Sequence, residues 1–253
     1  QITARRIFKS GVRFSITPIR PSMSAIRNLR PFQAGRCHRV ASRQPCVRAY
    51  AATKLYSNPA SRGRIVEWYL QELGVAGDVE VVNLDMREKR EHKSDWFKKV
   101  NPFGKLPAFE DGDMKLFESG AILLYLADKY GQLQTPLERA RAAQWTLFAN
   151  STMTQAVFME QIRERSMPEM FRTLDELLSQ QPYIDGDSFS VSDVAVGAYL
   201  LYIPTFFPQL DLSPYPNVLA YMKRISERPA CAATVAARAA EKKAEGAPAK
   251  ASH

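Results

Sequence analysis

Residues 101–120 read NPFGKLPAFEDGDMKLFESG, and the fold turns on this stretch. Pro107–Glu110 and Met114–Phe117 are short strand-like runs, and the Asp111-Gly112-Asp113 between them is a strong hairpin signal. Asn101-Pro102 and Gly104 supply turn residues ahead of it. Ser119–Tyr130 then follows helical spacing and stops at Gly131. Working upstream, Val79–Leu84 alternates with β-branched residues as a strand. Ile65, Val66, Tyr69, Leu70 and Leu73 repeat as a helix over 62–73 before Gly74, and Lys54–Ser57 begins a strand that turns at Asn58-Pro59. Asp85–Lys99 is charged with little periodicity and predicts a loop with a helical turn or two. The order is β-α-β followed by ββ-α. The first strand pair needs a crossover and the second a tight turn, so the sheet is mixed.

Downstream the pattern is helical throughout. After a linker at 132–136, helices are predicted over Leu137–Arg163, Met167–Leu178, Val191–Tyr202 and Val218–Ile225. These form an all-α domain over 137–231. Residues 232–253 are rich in Ala and Lys, with little apolar content, and predict a frayed or disordered tail.

The formal net charge of +9 is unevenly placed. Residues 1–53 hold ten Arg and one Lys with no Asp or Glu, and the first acid is Glu67. The remainder carries 24 basic and 26 acidic residues, close to neutral, which argues against a nucleic-acid partner for the folded part. The Arg- and Ser-rich, acid-free segment 1–53 reads as a transit peptide, with removal near Arg48–Ala52. It points to the chloroplast, with the mitochondrion as the alternative. No apolar block is long enough for a membrane span. With Gln rather than Met at position 1, residues upstream are expected. Cys37 and Cys46 fall in this segment and leave Cys231, so a disulfide framework and a cysteine-ligated metal site are not expected. No residue set suggests a metal or a nucleotide.

Four blocks in order resemble the glutathione S-transferase family. They are Lys54–Arg62, Asn101–Asp113, Leu116–Ile122 and Phe189–Ala195. The resemblance covers about 54–230 and is closest to cyanobacterial and plant plastid-type members, serine- or tyrosine-type rather than cysteine-type. It implies a thioredoxin-like domain over 54–131 that binds glutathione as a substrate, followed by the helical domain. It also implies a small apolar electrophile as second substrate, and a homodimer. In the family's pattern Pro107 is a cis-proline that leaves the Leu106 main chain to pair with the peptide's cysteinyl unit, as an added strand does. Ser119 and the adjoining helix N-terminus would take the γ-glutamyl carboxylate, and Glu118 its amino group. His92 and Lys93 match a loop pair used for the glycyl carboxylate, with Lys105 assisting. Arg62 would add positive potential near the sulfur.

Two hydroxyls compete to stabilise the glutathione thiolate. Ser61, at the opening of the first helix, matches the serine-type classes. Tyr56, at the strand end, matches the tyrosine-type classes. Ser57 is a third candidate. The cysteine-type classes place a thiol at this helix start, and no Cys lies between Lys54 and Ala230, which disfavours thiol exchange. Ser190 and Asp193 fit a capping box for the central helix. Phe158, Tyr202 and Phe206, with Phe148, Met153 and Met159, are candidates to line the electrophile pocket. The expected activity is conjugation of glutathione to small electrophiles, with glutathione-dependent peroxidase activity beside it. The alternative is a non-catalytic ligand-binding or assembly domain.

Overall fold

The computed structural model describes residues 53–237, so all but Thr53 of the segment read as a transit peptide, and the tail beyond 237, lie outside the described residues, while Thr53 itself begins the first strand. The N-terminal part runs β1 (Thr53–Ser57), α1 (Gly63–Glu72), β2 (Val79–Asn83), α2 (Asp95–Lys98), β3 (Ala108–Asp111), β4 (Met114–Phe117) and α3 (Ser119–Lys129). The sheet order is β2-β1-β3-β4. β1 pairs parallel to β2 and antiparallel to β3, and β3 pairs antiparallel to β4, the mixed pattern that the connection lengths require. Leu55 and Phe109, directly paired, are fully buried on the face covered by α1 and α3. The opposite face carries a smaller cluster, Tyr56, Leu84, Phe97, Val100 and Ala108, closed by α2. Ser94 caps α2 by accepting the Phe97 N–H.

The helical part contains α4 (Pro136–Phe148), a π-helical turn (Ala149–Met153), α5 (Thr154–Phe158), α6 (Glu160–Gln180), α7 (Val191–Phe206), α8 (Pro216–Ser226) and α9 (Pro229–Ala232). Thr135 and Glu138 form a capping box that starts α4 one residue earlier than the sequence predicts. The chain α7 is apolar on all sides and buried from Val191 to Leu200, as a central helix must be. One apolar core runs through both parts. It joins Ile65, Trp68 and Leu126 of the sheet layer to Val194, Leu200 and Ile225 of the bundle.

Three helical expectations change. The predicted helix 137–163 is interrupted by the π turn and then by Met159, whose extended backbone (φ −92°, ψ 108°) separates α5 from α6. The predicted helix 167–178 is the middle of the longer α6, which continues through Pro168. That proline is on the exposed side, so the helical hydrogen bond it cannot donate is lost away from the core. At the start of the predicted tail, Thr234 and Val235 are buried against the core rather than frayed, because Cys231 and Val235 fill the space beside α1 and α8.

Candidate functional site

A cleft of about 400 Å³ opens at the C-terminal end of β1, bounded by the β1–α1 loop, the segment after β2, the loop before β3 and the start of α3. Its lining includes Ser61, Arg62, His92, Lys93, Lys105, Leu106, Pro107, Glu118 and Ser119, brought together from four separate places in the chain. Sequence reasoning named all of these. It missed Ala60 and Met86, which carry no chemical signal beyond their position beside the cleft.

Each wall has a local cause. Asn58 organises the β1–α1 loop: its Nδ2 donates to Leu84 C=O (2.7 Å) and its Oδ1 accepts the Ala60 N–H (2.8 Å). The Ser61 hydroxyl donates to Asn58 C=O (2.9 Å) and accepts from the N–H groups of Asn58 (3.2 Å) and Gly63 (3.0 Å). Ser61 is therefore held at the mouth of α1, with two amide donors polarising its oxygen. Asn101 performs the same office for the next wall, donating to Lys105 C=O (2.8 Å) and accepting the Phe103 N–H (3.0 Å). Gly104 has φ 55°, and a Cβ there would sit 2.6 Å from the His92 carbonyl oxygen, so only glycine lets the two loops approach. Lys93 ties them by donating to Gly104 C=O (2.7 Å) and Phe103 C=O (3.3 Å).

The Leu106–Pro107 peptide is cis, and Leu106 makes none of the loop hydrogen bonds around it. Glu118, the residue ahead of α3, is exposed and has φ 70°, a conformation costing about 1 kcal/mol or more for a residue with a side chain. Such strain collects at ligand sites, and here it turns the chain abruptly from β4 into α3, with buried Ser119 at the first turn. Arg62, Lys93 and Lys105 outnumber Glu118, so the cleft is cationic. The imidazole of His92 is nearly buried with no partner at Nδ1, and burial, then Lys93 and Arg90, hold its pKa below the ordinary histidine value. A peptide bearing two carboxylates fits such a surface.

The two rival hydroxyls are placed differently from Ser61. Tyr56 faces the α2 side of the sheet, edge-on to Phe97, and donates to Glu110 Oε2 (2.6 Å). It lies outside the cleft lining, and burial, followed by that carboxylate, raises its pKa and keeps its proton on the phenol. Its direction follows from strand alternation: Leu55 takes the α1 face, so Tyr56 takes the other. Ser57 is fully buried and donates to Glu67 Oε1 (2.5 Å), whose other oxygen pairs with Arg64 (2.7 Å).

Phe158, Tyr202 and Phe206 do come together. Phe158 meets Phe206 at 6.0 Å and Tyr199 at 6.3 Å between ring centroids, and Tyr202 meets Phe206 at 5.9 Å. Tyr199 in turn lies under the Arg62 guanidinium, 5.5 Å from its ring centroid, which connects the aromatic cluster to the edge of the cleft. The other candidates part company. Met153 is core, Met159 is exposed, and Phe148 lines a separate apolar groove of about 490 Å³ between α4 and α6. The capping box of α7 is present, with Asp193 accepting the Ser190 N–H (2.9 Å). Among the described residues, no group of His, Cys, Asp and Glu is placed to hold a metal, and no helix is long and apolar enough to cross a membrane.

A mixed four-stranded sheet with a cationic cleft at the openings of α1 and α3, sharing one core with a helical bundle, defines the two-domain thioredoxin-like transferase class. Residues 51–128 match the family model for the glutathione S-transferase N-terminal domain, and 140–238 match one for the C-terminal domain. The chain is 34% identical over 188 residues to a probable glutathione S-transferase GSTF1 of Oryza sativa subsp. japonica, covering 63% of this chain and 84% of that one. It is 32% identical over 168 residues to a glutathione S-transferase domain-containing protein of Dictyostelium discoideum. That match covers 56% of this chain and spans 64% of the relative, just under two thirds of its length. Among solved structures, glutathione S-transferase-I bound with lactoylglutathione superposes with a TM-score of 0.63 at 28% identity, over 74% of this chain and all of that one. The chain belongs to the glutathione S-transferase family.

Proposed function

We propose that this protein is an enzyme that binds glutathione in the cationic cleft and adds its sulfur to small apolar electrophiles. The observation that carries the reading is the convergence of Ser61, Leu106-Pro107 and Glu118-Ser119 on one cleft. The tripeptide's cysteinyl unit pairs with the Leu106 main chain, its γ-glutamyl end meets Glu118 and Ser119, and its glycyl carboxylate meets His92, Lys93 and Lys105. The sulfur then lies at the opening of α1. There the Ser61 O–H turns from the Asn58 carbonyl to the sulfur, and the helix N-terminus and Arg62 favour negative charge. A free thiol of pKa about 8.5 is only a few percent ionised at neutral pH, so each such interaction raises the reactive fraction. The thiolate attacks the electrophilic carbon, the carbon–leaving-group bond breaks, and the thiol proton passes to solvent. The electrophile rests on Phe158 and Phe206, with Tyr202 buried behind them against Phe206. The same thiolate can attack a hydroperoxide oxygen, so peroxidase activity with a second glutathione is part of the proposal.

Cys231 supports this reading over thiol exchange through the protein. It is fully buried, and burial pushes its thiol up to about 12, so it offers no nucleophile. We also assign the protein to the plastid on the acid-free, Arg-rich segment 1–53, and a two-fold dimer on two surfaces. These are the exposed Phe103 and the apolar α4–α6 groove, which a second copy would cover.

Retention on immobilised glutathione followed by an aryl-halide conjugation assay tests the activity. Retention with turnover is expected. Retention without turnover would favour a ligand carrier, and no retention an assembly domain.

A further inference from the structure

The π-helical turn Ala149–Met153 interrupts the bundle beside the cleft rather than at a distance from it. π turns add a residue to a helix and are found mostly where a side chain must be re-aimed. Here the side chain is Asn150. Its Oδ1 accepts the hydroxyl of Tyr199 from α7 (2.7 Å), which fixes the amide so that Nδ2 faces the first turn of α3. The approach is close: a Cβ on Gly120 would fall within the van der Waals shell of Asn150 Nδ2 and 2.6 Å from Thr146 Cγ2. Gly120 directly follows Ser119, so Asn150 presses on the backbone that presents the cleft's hydroxyl and helix N-terminus. Tyr199 reaches the other side of the same cleft, since Arg62 lies over its ring at 5.5 Å. Burial raises the Tyr199 phenol, and Arg62, Thr154 and Ser119 act in the opposite sense, so the phenol lies among the cleft's own groups.

We infer that Tyr199 and Asn150 are a positioning pair through which the helical domain sets the affinity of the cleft for the γ-glutamyl end of glutathione. This rests on the reading of the cleft as a glutathione site. Neither residue is among those lining the cleft, so neither is a catalytic residue. Tyr199 holds Arg62 by its ring and Asn150 by its hydroxyl, and Asn150 packs against the start of α3 at Gly120. Breaking the Tyr199–Asn150 hydrogen bond alone leaves the ring under Arg62 and Ser61 in place, so its loss acts on binding, whereas loss of the ring also reaches the sulfur through Arg62.

The test is glutathione calorimetry and steady-state kinetics on the full chain, with thermal unfolding as a fold control. Tyr199→Phe keeps the ring under Arg62 and removes only the hydroxyl, and Asn150→Ala removes the same bond from the other side. Each is expected to raise the KM for glutathione about five- to tenfold, the effect of one lost hydrogen bond, with kcat within about twofold and the KM for the electrophile unchanged. The double variant is expected to match the worse single variant, because both break one interaction. Tyr199→Leu, which also removes the platform for Arg62, is expected to exceed Tyr199→Phe. An unchanged glutathione KM in both single variants overturns the inference, as does a fall in kcat equal to the fall in kcat/KM. Failure of the unsubstituted protein to bind glutathione overturns the reading of the cleft itself, and is distinguished by being seen before any substitution.

Discussion

Glu72 on α1 and Arg228 ahead of α9 form a two-armed ion pair across the boundary between the two parts of the molecule, with N···O distances of 2.8 and 2.6 Å. The pair is 156 residues apart in sequence. Glu72 also accepts from the indole of Trp68 (2.9 Å), and the guanidinium lies 3.7 Å from the Phe189 ring centroid. The side chains are 10% and 31% exposed, so the pair stands between a surface bridge worth at most about 1 kcal/mol and a buried one whose disruption costs about 3–5 kcal/mol. Arg228→Ala is expected to destabilise the protein by about 2 kcal/mol, read as a lower urea midpoint at unchanged slope. Arg228→Lys should rescue little, because a lysine makes neither the fork nor the stacking. A change of under half a kcal/mol for Arg228→Ala would show that the boundary is held by its apolar core alone.

Ser61 and Tyr56 can be separated by a paired substitution. Ser61 lines the cleft and Tyr56 does not, so Ser61→Ala should lower kcat/KM for conjugation about a hundredfold, the scale of removing one preorganised donor. Tyr56→Phe should leave turnover near that of the parent and cost about 1–2 kcal/mol of stability, because Glu110 loses its 2.6 Å donor. The reverse pattern would place the sulfur on the other side of β1.

The contrast shows what was legible from residues alone. Strand alternation already puts Tyr56 opposite Leu55, but which face the cleft lies on depends on where α2 packs. The charged, non-periodic stretch 85–99 gives no sign that Phe97 will bury there. The element order, the mixed sheet and the loops around the cleft were readable because turn residues act locally: Asp111-Gly112 closes the hairpin, and Asn101 and Gly104 shape the loop by their own hydrogen bonds and φ. The bundle was readable only in part. Neither the π turn nor the break at Met159 has a Gly or Pro to announce it. The π turn goes with a tertiary contact, Asn150 meeting Tyr199 from α7. Pro168 does not break α6, since an exposed position tolerates the lost helical bond.

His92 gives a pH dependence whose sign is fixed. It is the one histidine among the described residues, nearly buried, and burial followed by Lys93 and Arg90 lowers its folded-state pKa below 6.5. As pH falls below about 6.5 the unfolded chain takes up a proton that the folded chain resists, so stability is lost through that window and levels off below the folded pKa. The stability difference between the parent and His92→Gln should therefore decline from pH 7.5 to pH 5. Bound glutathione should shrink the decline if its glycyl carboxylate lies beside the imidazole, because a negative neighbour favours the charged ring. A difference constant across this range would mean that His92 titrates as it does in the unfolded chain.

Asp193 joins the start of α7 to the rest of the bundle, and its effect should exceed that of the cap it shares with Ser190. Ser190 accepts the Ser192 N–H (3.2 Å), and Ser190→Ala is expected to cost about 1 kcal/mol. Asp193 is fully buried and accepts from the N–H of Ile184 (2.8 Å), the N–H of Ser190 (2.9 Å) and the hydroxyl of Tyr221 (3.0 Å). Asp193→Ala leaves three donors stranded, two of them far from water, and each unsatisfied buried group costs about 1–3 kcal/mol. The expected loss is about 4 kcal/mol, most of a typical domain's margin. The cost lies in the stranded donors, so Tyr221→Phe should be destabilising in the parent but nearly neutral, or mildly stabilising, in an Asp193→Ala background. Equal costs of Tyr221→Phe in both backgrounds, measured by urea unfolding, would mean that the tyrosine acts by packing its ring, and that Asp193 holds the helix without it.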